Sequence, residues 1–293
     1  ESTFDTSELQ GEHRAVVAFD PSDSDEELNK LFSKTVDGLR TGKGLKILAN
    51  KGVHVGEGAA SGSMAFLFPG QGSQYLGMCG DLRREFPVVQ STFDEADSVM
   101  ADILEKPLST YMDPTELPDA SAKKRAFADL TKTEITQPAM LTADIAILRL
   151  LAEFGFKPDL VAGHSLGEYG ACVAAGVMDF PTALKTVAAR GTEMANVEPM
   201  DGDVGLMAAL GASVDKIQPI LDSVDGYVVC ANKNCDAQTV IGGSSPAVKA
   251  VMEKVKEAGI EGTLLPVSHA FHTRVVETAS APLKRHLDSM EIR

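Results

Sequence analysis

Basic residues are in short supply in this sequence: 27 lysines and arginines stand against 42 aspartates and glutamates, and the formal net charge is −15. Binding to nucleic acid or to an anionic membrane surface needs a basic face, so we expect neither as a partner. Long apolar runs are also missing, since no stretch approaches the roughly 18 residues that would suggest a membrane span. The composition therefore argues against nucleic-acid-binding and membrane proteins.

Cysteine is scarce as well. The four cysteines, Cys79, Cys172, Cys230 and Cys235, form no C-x-x-C pair, and no histidine cluster has zinc-site spacing. We therefore expect no metal, and free thiols as in a reduced cytoplasmic protein. The first thirty residues are polar and do not resemble a signal peptide, and a start at Glu1 is expected of a piece of a longer chain.

What is present is the composition of a globular protein, with 44% hydrophobic and 24% charged residues over 293 positions. Residues 1–56 predict a small α/β segment or interdomain linker, with a strand at 13–19, a helix capped by Ser24 and a second short strand at 45–50. Small residues at 56–63 then predict a linker.

The residues after this linker predict a parallel sheet covered by helices. Two continuous apolar runs, 64–68 and 159–163, are typical of buried parallel strands. Alternation of such strands with helices indicates an α/β fold. Helical periodicity marks the segments 81–103, 138–155, 166–175 and 181–196.

Residues 203–268 have a different pattern, with elements in the order βαββαβ, which is the ferredoxin-like order. Its second helix is expected to begin with Ser245 as the N-cap and Pro246 at the first position, and its last strand to cover 263–267. We therefore predict a small ferredoxin-like subdomain inserted into a large one. The predicted domains are residues 1–62, a large subdomain of 63–198 and 270–293, and a small subdomain of 199–269.

The sequence Gly163-His164-Ser165-Leu166-Gly167 has the form G-x-S-x-G, with a strand predicted before it and a helix after it. In that context a tight strand-to-helix turn presents the serine hydroxyl, and the helix N-terminus supplies free N–H groups. Ser165 is therefore a candidate nucleophile, and the N–H of Leu166 a candidate oxyanion donor. The alternative is a plain turn with a capping serine.

A serine nucleophile needs a base. The sequence SHAFH, directly after the last predicted strand, offers His269 and His272, and either could face Ser165. His164 adjoins the nucleophile, but at so tight a turn its side chain should point away from it. No acid is obviously placed to orient the base, which argues against a general esterase; a Ser–His dyad suffices for an activated substrate such as a thioester.

Two further features could complete such a site. Arg190 lies in an otherwise apolar helix and could hold a carboxylate with two hydrogen bonds, although a surface arginine is the commoner meaning of this pattern. The loop at 69–74 is rich in glycine and could supply a second oxyanion donor. It lacks the lysine of a P-loop, so it does not predict a nucleotide site.

These pieces, taken as a set, resemble the acyltransferase family, which comprises malonyl-CoA:acyl carrier protein transacylases and the acyltransferase domains of polyketide and fatty-acid synthases. The resemblance covers residues 63–293 and implies an α/β-hydrolase-like large subdomain with an inserted ferredoxin-like one. The motifs that carry it are FLFPGQGSQYLGM at 66–78, TQPAML at 136–141, GHSLGE at 163–168, ARG at 189–191 and HAFH at 269–272.

The resemblance also implies roles for individual residues. Ser165 would be the nucleophile and His272 the base. The backbone amides of Gln71 and Leu166 would form the oxyanion hole. Arg190 would grip the free carboxylate of a dicarboxylic acyl group.

The implied substrate is malonyl-CoA, because HAFH and the Leu166 position resemble the malonyl type; His164 and Phe271 are further candidates for substrate contact. The malonyl group would pass through an acyl-serine to the phosphopantetheine thiol of an acyl carrier protein, with no cofactor held by this chain. Residues 1–62 resemble the linker between a ketosynthase and an acyltransferase, which implies neighbouring synthase domains in the cytoplasm.

The family continues beyond the position of Arg293 with a strand and a group that orients the base, so the resemblance leaves the activity of this chain by itself open. Two alternatives also stay open: a thioesterase or hydrolase, which would need a third acid, and a non-catalytic docking domain of a synthase. The basic clusters 83–84 and 123–125 are candidate contacts for a carrier protein, although an ordinary solvated face is the commoner interpretation.

Overall fold

The computed structural model describes residues 13–19, 22–57, 62–199 and 202–290. Within it the chain divides into two compact units, residues 1–63 and 64–293. The finer division of the second unit into two subdomains stays a prediction.

The first unit contains an antiparallel pair of strands and two helices: β1 (His13–Val17), α1 (Asp25–Thr41), α2 (Leu45–Ala49) and β2 (Val53–Glu57). Helix α1 begins at a capping box, in which the Glu27 N–H donates to Ser24 Oγ and the Ser24 N–H donates to Glu27 Oε2. It ends at Gly42, whose left-handed φ of 66° suits glycine.

The strand predicted at 45–50 is wrong, because this segment forms helix α2. Gly44 turns the chain with a φ of 78°, and the helix formers Leu and Ala of LKILA then complete one helical turn. The partner of β1 is instead the alternating V-H-V segment of β2. Of the predicted linker, residues 58–61 lie outside the described residues.

The second unit begins with the short strand β3 (Ala65–Phe68) and is then helical for most of its first hundred residues. The elements in chain order are α3 (Gly80–Glu85), α4 (Pro87–Met100), α5 (Leu108–Met112), α6 (Ala120–Thr131), α7 (Thr133–Glu153), β4 (Leu160–Gly163), α8 (Gly167–Ala174) and α9 (Phe180–Ala195). Helix α7 lies at the centre of this unit, and α4, α8 and α9 pack around it. It is long and apolar enough by length and composition to cross a membrane, but most of it is buried inside the protein, as in a core helix.

Strands β3 and β4 pair in parallel, as their apolar runs predict, but they are not buried on both faces. Phe68 is buried on the face that α8 covers, whereas Leu67 and Leu160 are 76% and 62% exposed. The expectation of fully buried strands is therefore wrong in the part of the chain described, because helices cover one side of this two-stranded sheet.

The elements that follow are β5 (Leu206–Leu210), α10 (Val214–Asp222), β6 (Val228–Cys235), β7 (Gln238–Gly243), α11 (Ser245–Glu257) and β8 (Gly262–Leu264), then a short 3₁₀ helix (Arg274–Ala279) and α12 (Ser280–Asp288). The four strands form an antiparallel sheet with the order β6-β7-β5-β8. Helices α10 and α11 bury one face of it, and the opposite face packs toward the end of α9 and residues 270–279.

Two details differ from the sequence prediction. The N-cap of α11 is Ser244, so Ser245 is the first helical residue and Pro246 the second. The last strand, β8, ends at Leu264 rather than Val267, because Pro266 has no N–H to donate and Val267 donates its N–H to Leu265 O in a tight turn.

Candidate active site

Ser165 lies at a sharp turn between β4 and α8 and has a left-handed φ of 54°. A side-chain-bearing residue adopts this backbone conformation at a cost, and it persists only where the surroundings impose it. The consequence here is that the hydroxyl of Ser165 projects from the turn at the carboxyl end of the parallel pair.

Two glycines make this turn possible. A Cβ at Gly163 would lie 2.2 Å from the backbone nitrogen of Glu168, and one at Gly167 would lie 2.1 Å from the carbonyl oxygen of Phe68. Helix α8 therefore approaches both strands too closely for any side chain at either position. This is the steric reason for the G-x-S-x-G spacing.

His272 reaches this turn from 107 residues further along the chain, and its Nε2 lies 2.7 Å from Ser165 Oγ. The backbone of His272 is also left-handed, with a φ of 57°. His269, the other candidate base, is buried, and its Nδ1 contacts the Ser268 hydroxyl at 3.1 Å. The structure thus brings His272, and not His269, to the serine.

The surroundings of His272 favour its neutral form. Burial of the ring lowers its pKa, and the positive charge of Arg190 and the neighbouring His164 act in the same direction, while Glu168 opposes them. A neutral imidazole can accept the serine proton at neutral pH. Among the described residues no carboxylate hydrogen-bonds this ring, so the arrangement seen is a Ser–His dyad.

Two backbone N–H groups are free to receive an oxyanion. Leu166 is the N-cap residue of α8, and Gln71 lies in the loop after β3; both line the cavity that contains Ser165. Neither of their N–H groups donates to another backbone group in the described part of the chain. Gly70 allows this loop to approach the serine turn closely, since a Cβ at that position would lie 2.5 Å from the His164 carbonyl oxygen.

Arg190 lies on α9, is half-buried and lines the same cavity. Its Nη1 donates to Gln137 Oε1 at 2.8 Å, and within residues 62–199 and 202–290 no carboxylate forms an ion pair with it. Burial lowers the pKa of the guanidinium. A desolvated cation without a counter-ion is a receptor for an anionic ligand. The surface-arginine interpretation is wrong.

Gln137 is a residue that sequence reasoning missed. It is fully buried in α7, its Oε1 receives Arg190, and its Nε2 points to the sulfur of Met194 at 3.5 Å. The signal was present, because TQPAML is one of the quoted motifs, and a glutamine in a helix this apolar needs a buried partner.

The cavity has a volume of about 250 Å³ and is lined by apolar side chains that include Phe271 and by a group of side-chain amides. Asn234 Oδ1 lies 3.1 Å from His164 Nε2, and Asn234 Nδ2 donates to Gln238 Oε1 at 2.8 Å. His164 therefore contacts the β6–β7 hairpin rather than Ser165. The hairpin amides Asn232, Asn234 and Gln238 were not identified from the sequence, because their relation to Ser165 depends on how the antiparallel sheet docks.

No group of three or more His, Cys, Asp or Glu side chains in the described part of the chain is arranged to hold a metal ion.

Comparison with known proteins gives one family. The model of the acyl transferase domain matches residues 65–293. Malonyl CoA-acyl carrier protein transacylase of Bacillus subtilis is 39% identical over 234 residues, which are 78% of this chain and 69% of that protein.

Solved structures agree with this. The acyltransferase domain from the second module of the salinomycin polyketide synthase superposes with a TM-score of 0.77 at 31% identity, over 96% of this chain and 60% of that one. A malonyl-transacylase solved in complex with its type II polyketide synthase acyl-carrier protein has a TM-score of 0.70 at 36% identity, over 79% of this chain and 72% of that one. The strand–turn–helix around Ser165, its contact with His272 and these matches lead to one conclusion: the chain belongs to the acyl transferase domain family.

Proposed function

We propose that this chain transfers a malonyl group from malonyl-CoA to the phosphopantetheine thiol of an acyl carrier protein through an acyl ester on Ser165. The observation that carries the proposal is the 2.7 Å contact between Ser165 Oγ and His272 Nε2, at a cavity into which the half-buried Arg190 brings a positive charge. The names of the relatives support the same reaction.

The first half-reaction forms the acyl-enzyme. Ser165 gives its proton to His272 Nε2 while Oγ attacks the thioester carbonyl carbon. The oxyanion of the tetrahedral intermediate accepts hydrogen bonds from the N–H groups of Gln71 and Leu166. The carbon–sulfur bond then breaks, His272 returns the proton to the sulfur, and coenzyme A leaves.

The second half-reaction reverses these roles. The phosphopantetheine thiol of the carrier protein gives its proton to His272, and its sulfur attacks the ester carbon. The Ser165 oxygen leaves and takes the proton back from His272. No water, metal or cofactor is consumed, and the malonyl group ends as a new thioester.

Selectivity for malonyl follows from Arg190. Its guanidinium can donate two parallel hydrogen bonds to the free carboxylate, while Gln137 holds it in place. With an acetyl group the guanidinium would stay desolvated and unpaired, which is unfavourable. Phe271 and His164, on the wall of the same cavity, complete the contacts with the acyl group.

We propose the finer architecture together with this function. The parallel strands with the serine turn form an α/β-hydrolase-like large subdomain, residues 63–198 and 270–293, and the antiparallel sheet forms a ferredoxin-like small one, residues 199–269. Residues 1–62 are a linker of the ketosynthase-to-acyltransferase type in a cytoplasmic synthase. The strand order β6-β7-β5-β8 and the parallel β3–β4 pair support this assignment.

Intact-mass measurement after incubation with malonyl-CoA tests the function. One malonyl adduct per chain is expected, and it should be absent in Ser165→Ala and pass to added carrier protein. An adduct that persists in the alanine variant would refute the nucleophile assignment. Release of free malonate faster than transfer to carrier protein would show a hydrolase instead.

A further inference from the structure

The turn that carries His272 is contacted by a residue that is neither the candidate nucleophile nor the candidate base. The segment 269–275 turns back on itself: the Phe271 N–H donates to His269 O, and Thr273 Oγ1 donates to Ala270 O at 2.6 Å. His272 sits at the centre of this turn in a left-handed conformation. A non-glycine residue leaves that conformation readily unless flanking contacts oppose it.

Tyr227 supplies such a contact. It directly precedes β6, and its phenol oxygen accepts the backbone N–H of Arg274 at 2.9 Å, two residues after the base. The guanidinium of Arg274 also lies over the phenol ring, with Cζ 3.8 Å from the ring centroid. Both the backbone and the side chain of Arg274 are thereby placed by one aromatic residue.

Tyr227 is itself firmly placed. Its carbonyl oxygen accepts the Ser244 N–H at 2.8 Å. A Cβ at Gly243 would lie 2.1 Å from the same oxygen, so only glycine allows this close approach. On the neighbouring position of β7, Gly242 leaves room for Thr273, whose Cγ2 would be 2.8 Å from a Cβ there. The antiparallel sheet is therefore shaped to receive the His272 turn.

We propose that Tyr227 is a positioning residue for the base: by accepting the Arg274 N–H it holds the strained turn that keeps His272 Nε2 against Ser165 Oγ. The catalytic meaning of this contact rests on the proposed function. Because Tyr227 adjoins the strand that carries Asn232 and Asn234, the same sheet edge sets both the base and one wall of the cavity.

Loosening this turn has a defined consequence for the ring. The charged and titratable groups around His272 are Arg190 on α9, His164 and Glu168 around the serine turn, and Arg274 and Glu277 on the 3₁₀ helix beside the adjoining cleft. Burial is the largest cause of the lowered pKa of His272, ahead of the charge of Arg190. A turn that is free to open lets water reach the ring, and its pKa then rises toward the ordinary value.

The test is Tyr227→Phe, which removes the hydrogen-bond acceptor and keeps the ring. The matched control is Tyr111→Phe, because Tyr111 also carries a cation over its ring, Lys106 Nζ at 4.1 Å from the centroid, but packs against the helical core of α4, α5 and α7. Single-turnover acylation by malonyl-CoA and the histidine side-chain NMR titration of His272 are measured for both and for the unaltered chain.

Loss of one such hydrogen bond should lower the maximal acylation rate of Tyr227→Phe by about 5- to 10-fold with little change in KM, and should raise the His272 titration midpoint. Tyr111→Phe should match the unaltered chain in both. Arg274→Ala keeps the backbone N–H that Tyr227 accepts, so its acylation rate should fall less than that of Tyr227→Phe.

An unchanged rate and titration midpoint in Tyr227→Phe would overturn the proposal. So would a lower melting temperature with an unchanged midpoint, because that is the signature of a purely structural contact. If the unaltered chain forms no acyl-serine, the proposed function falls; the NMR titration still decides whether Tyr227 places the ring.

Discussion

Three non-glycine residues in the described part of the chain have positive φ angles, and two of them are Ser165 and His272. At Ser165, Gly163 and Gly167 allow the close approach of helix and strands that makes the turn sharp. At His272, the Tyr227 contact and the Thr273 hydrogen bond flank the turn. Strain of this kind is stored where geometry must be held against relaxation. The dyad contact of 2.7 Å therefore joins two backbone positions that both have the strained left-handed conformation.

At the same scale, the selectivity assigned to Arg190 predicts the behaviour of Arg190→Ala. Acylation by malonyl-CoA should fall by about 100-fold, the equivalent of losing a charge-assisted pair of hydrogen bonds, while acylation by acetyl-CoA should hold or improve. The ratio of the two acylation rates, measured by stopped-flow release of coenzyme A, checks this.

The control is Arg149→Ala, since Arg149 is also half-buried but pairs with Glu95 at 2.7 Å. It should lose stability without altering the ratio of malonyl to acetyl rates. Equal losses with both substrates in Arg190→Ala would mean that Arg190 is structural and that it does not bind the carboxylate.

The serine turn is the element on which the fold around the site depends. In Gly167→Ala the new Cβ would meet the Phe68 carbonyl, so we expect a loss of about 3 kcal/mol or more in the free energy of unfolding. Gly176→Ala is the matched control: its φ is 73°, but nothing lies within 4 Å of its Cβ, so only the backbone strain of about 1 kcal/mol applies. Urea denaturation compares them. Similar losses in the two variants would contradict the close approach of α8 to β3.

Helix α7 carries a buried carboxyl group whose cost depends on pH. Asp144 is 8% exposed, and burial raises its pKa to about 7. The folded state thus holds its proton more tightly than the unfolded chain, where the pKa is about 3.9. Below about pH 4 the carboxyl group is protonated in both states, and the free energy of unfolding keeps its full value. As pH rises from 4 through 7, the unfolded chain ionises more readily than the folded protein, and the free energy of unfolding falls.

Asp144→Asn should remove this pH dependence and stabilise the protein at pH 8. The difference between the folded and unfolded pKa values limits the gain in the free energy of unfolding to about 4 kcal/mol. Because the folded protein can relax around the charge, we expect a gain of about 2 kcal/mol. Urea denaturation of both proteins at pH 5 and pH 8 measures the difference. If the difference in unfolding free energy between the two proteins is the same at pH 5 and pH 8, the carboxyl group of Asp144 is not desolvated.

At the scale of the whole molecule, the net charge of −15 bears on the carrier-protein contact. A chain of this charge would attract an acidic carrier protein only weakly over long range, and a shared polypeptide would remove the need for strong affinity. The cluster at 83–84 is partly used within the fold, because Arg84 contacts Asp81 and Arg83 lies over Phe93.

We therefore expect a weak, transient contact with a free carrier protein and a modest dependence on salt. The KM for holo carrier protein, measured at low and moderate salt, should be high and change little. Lys123→Glu provides a control for the exposed cluster at 123–125 and should change the KM only slightly. A tight complex that strengthens as salt is removed would show a strong local positive field.

Features of the fold and the site could be predicted from the sequence where the contacts that determine them join residues close together along the chain. Sequence patterns located β3, β4, α7, α8 and α9, because apolar periodicity is a local property. They failed at residues 45–50, where one helical turn and one short strand have nearly the same composition. They also could not show that one face of the β3–β4 pair is exposed, since that depends on what packs above it.

The sequence by itself determined the serine turn, because the steric demand for small residues at 163 and 167 arises within five positions, and it identified the family through its five spaced motifs. The residues alone left His269 and His272 as open candidates for the base, and the family resemblance favoured His272. The tertiary structure places His272 Nε2 against Ser165 Oγ, while His269 contacts the Ser268 hydroxyl. Only the tertiary structure paired Arg190 with Gln137, 53 residues apart, with no carboxylate beside the guanidinium among the residues that the structure describes. Such choices depend on how separate elements pack, and no local pattern along the chain records which face a side chain presents once helix and sheet have docked.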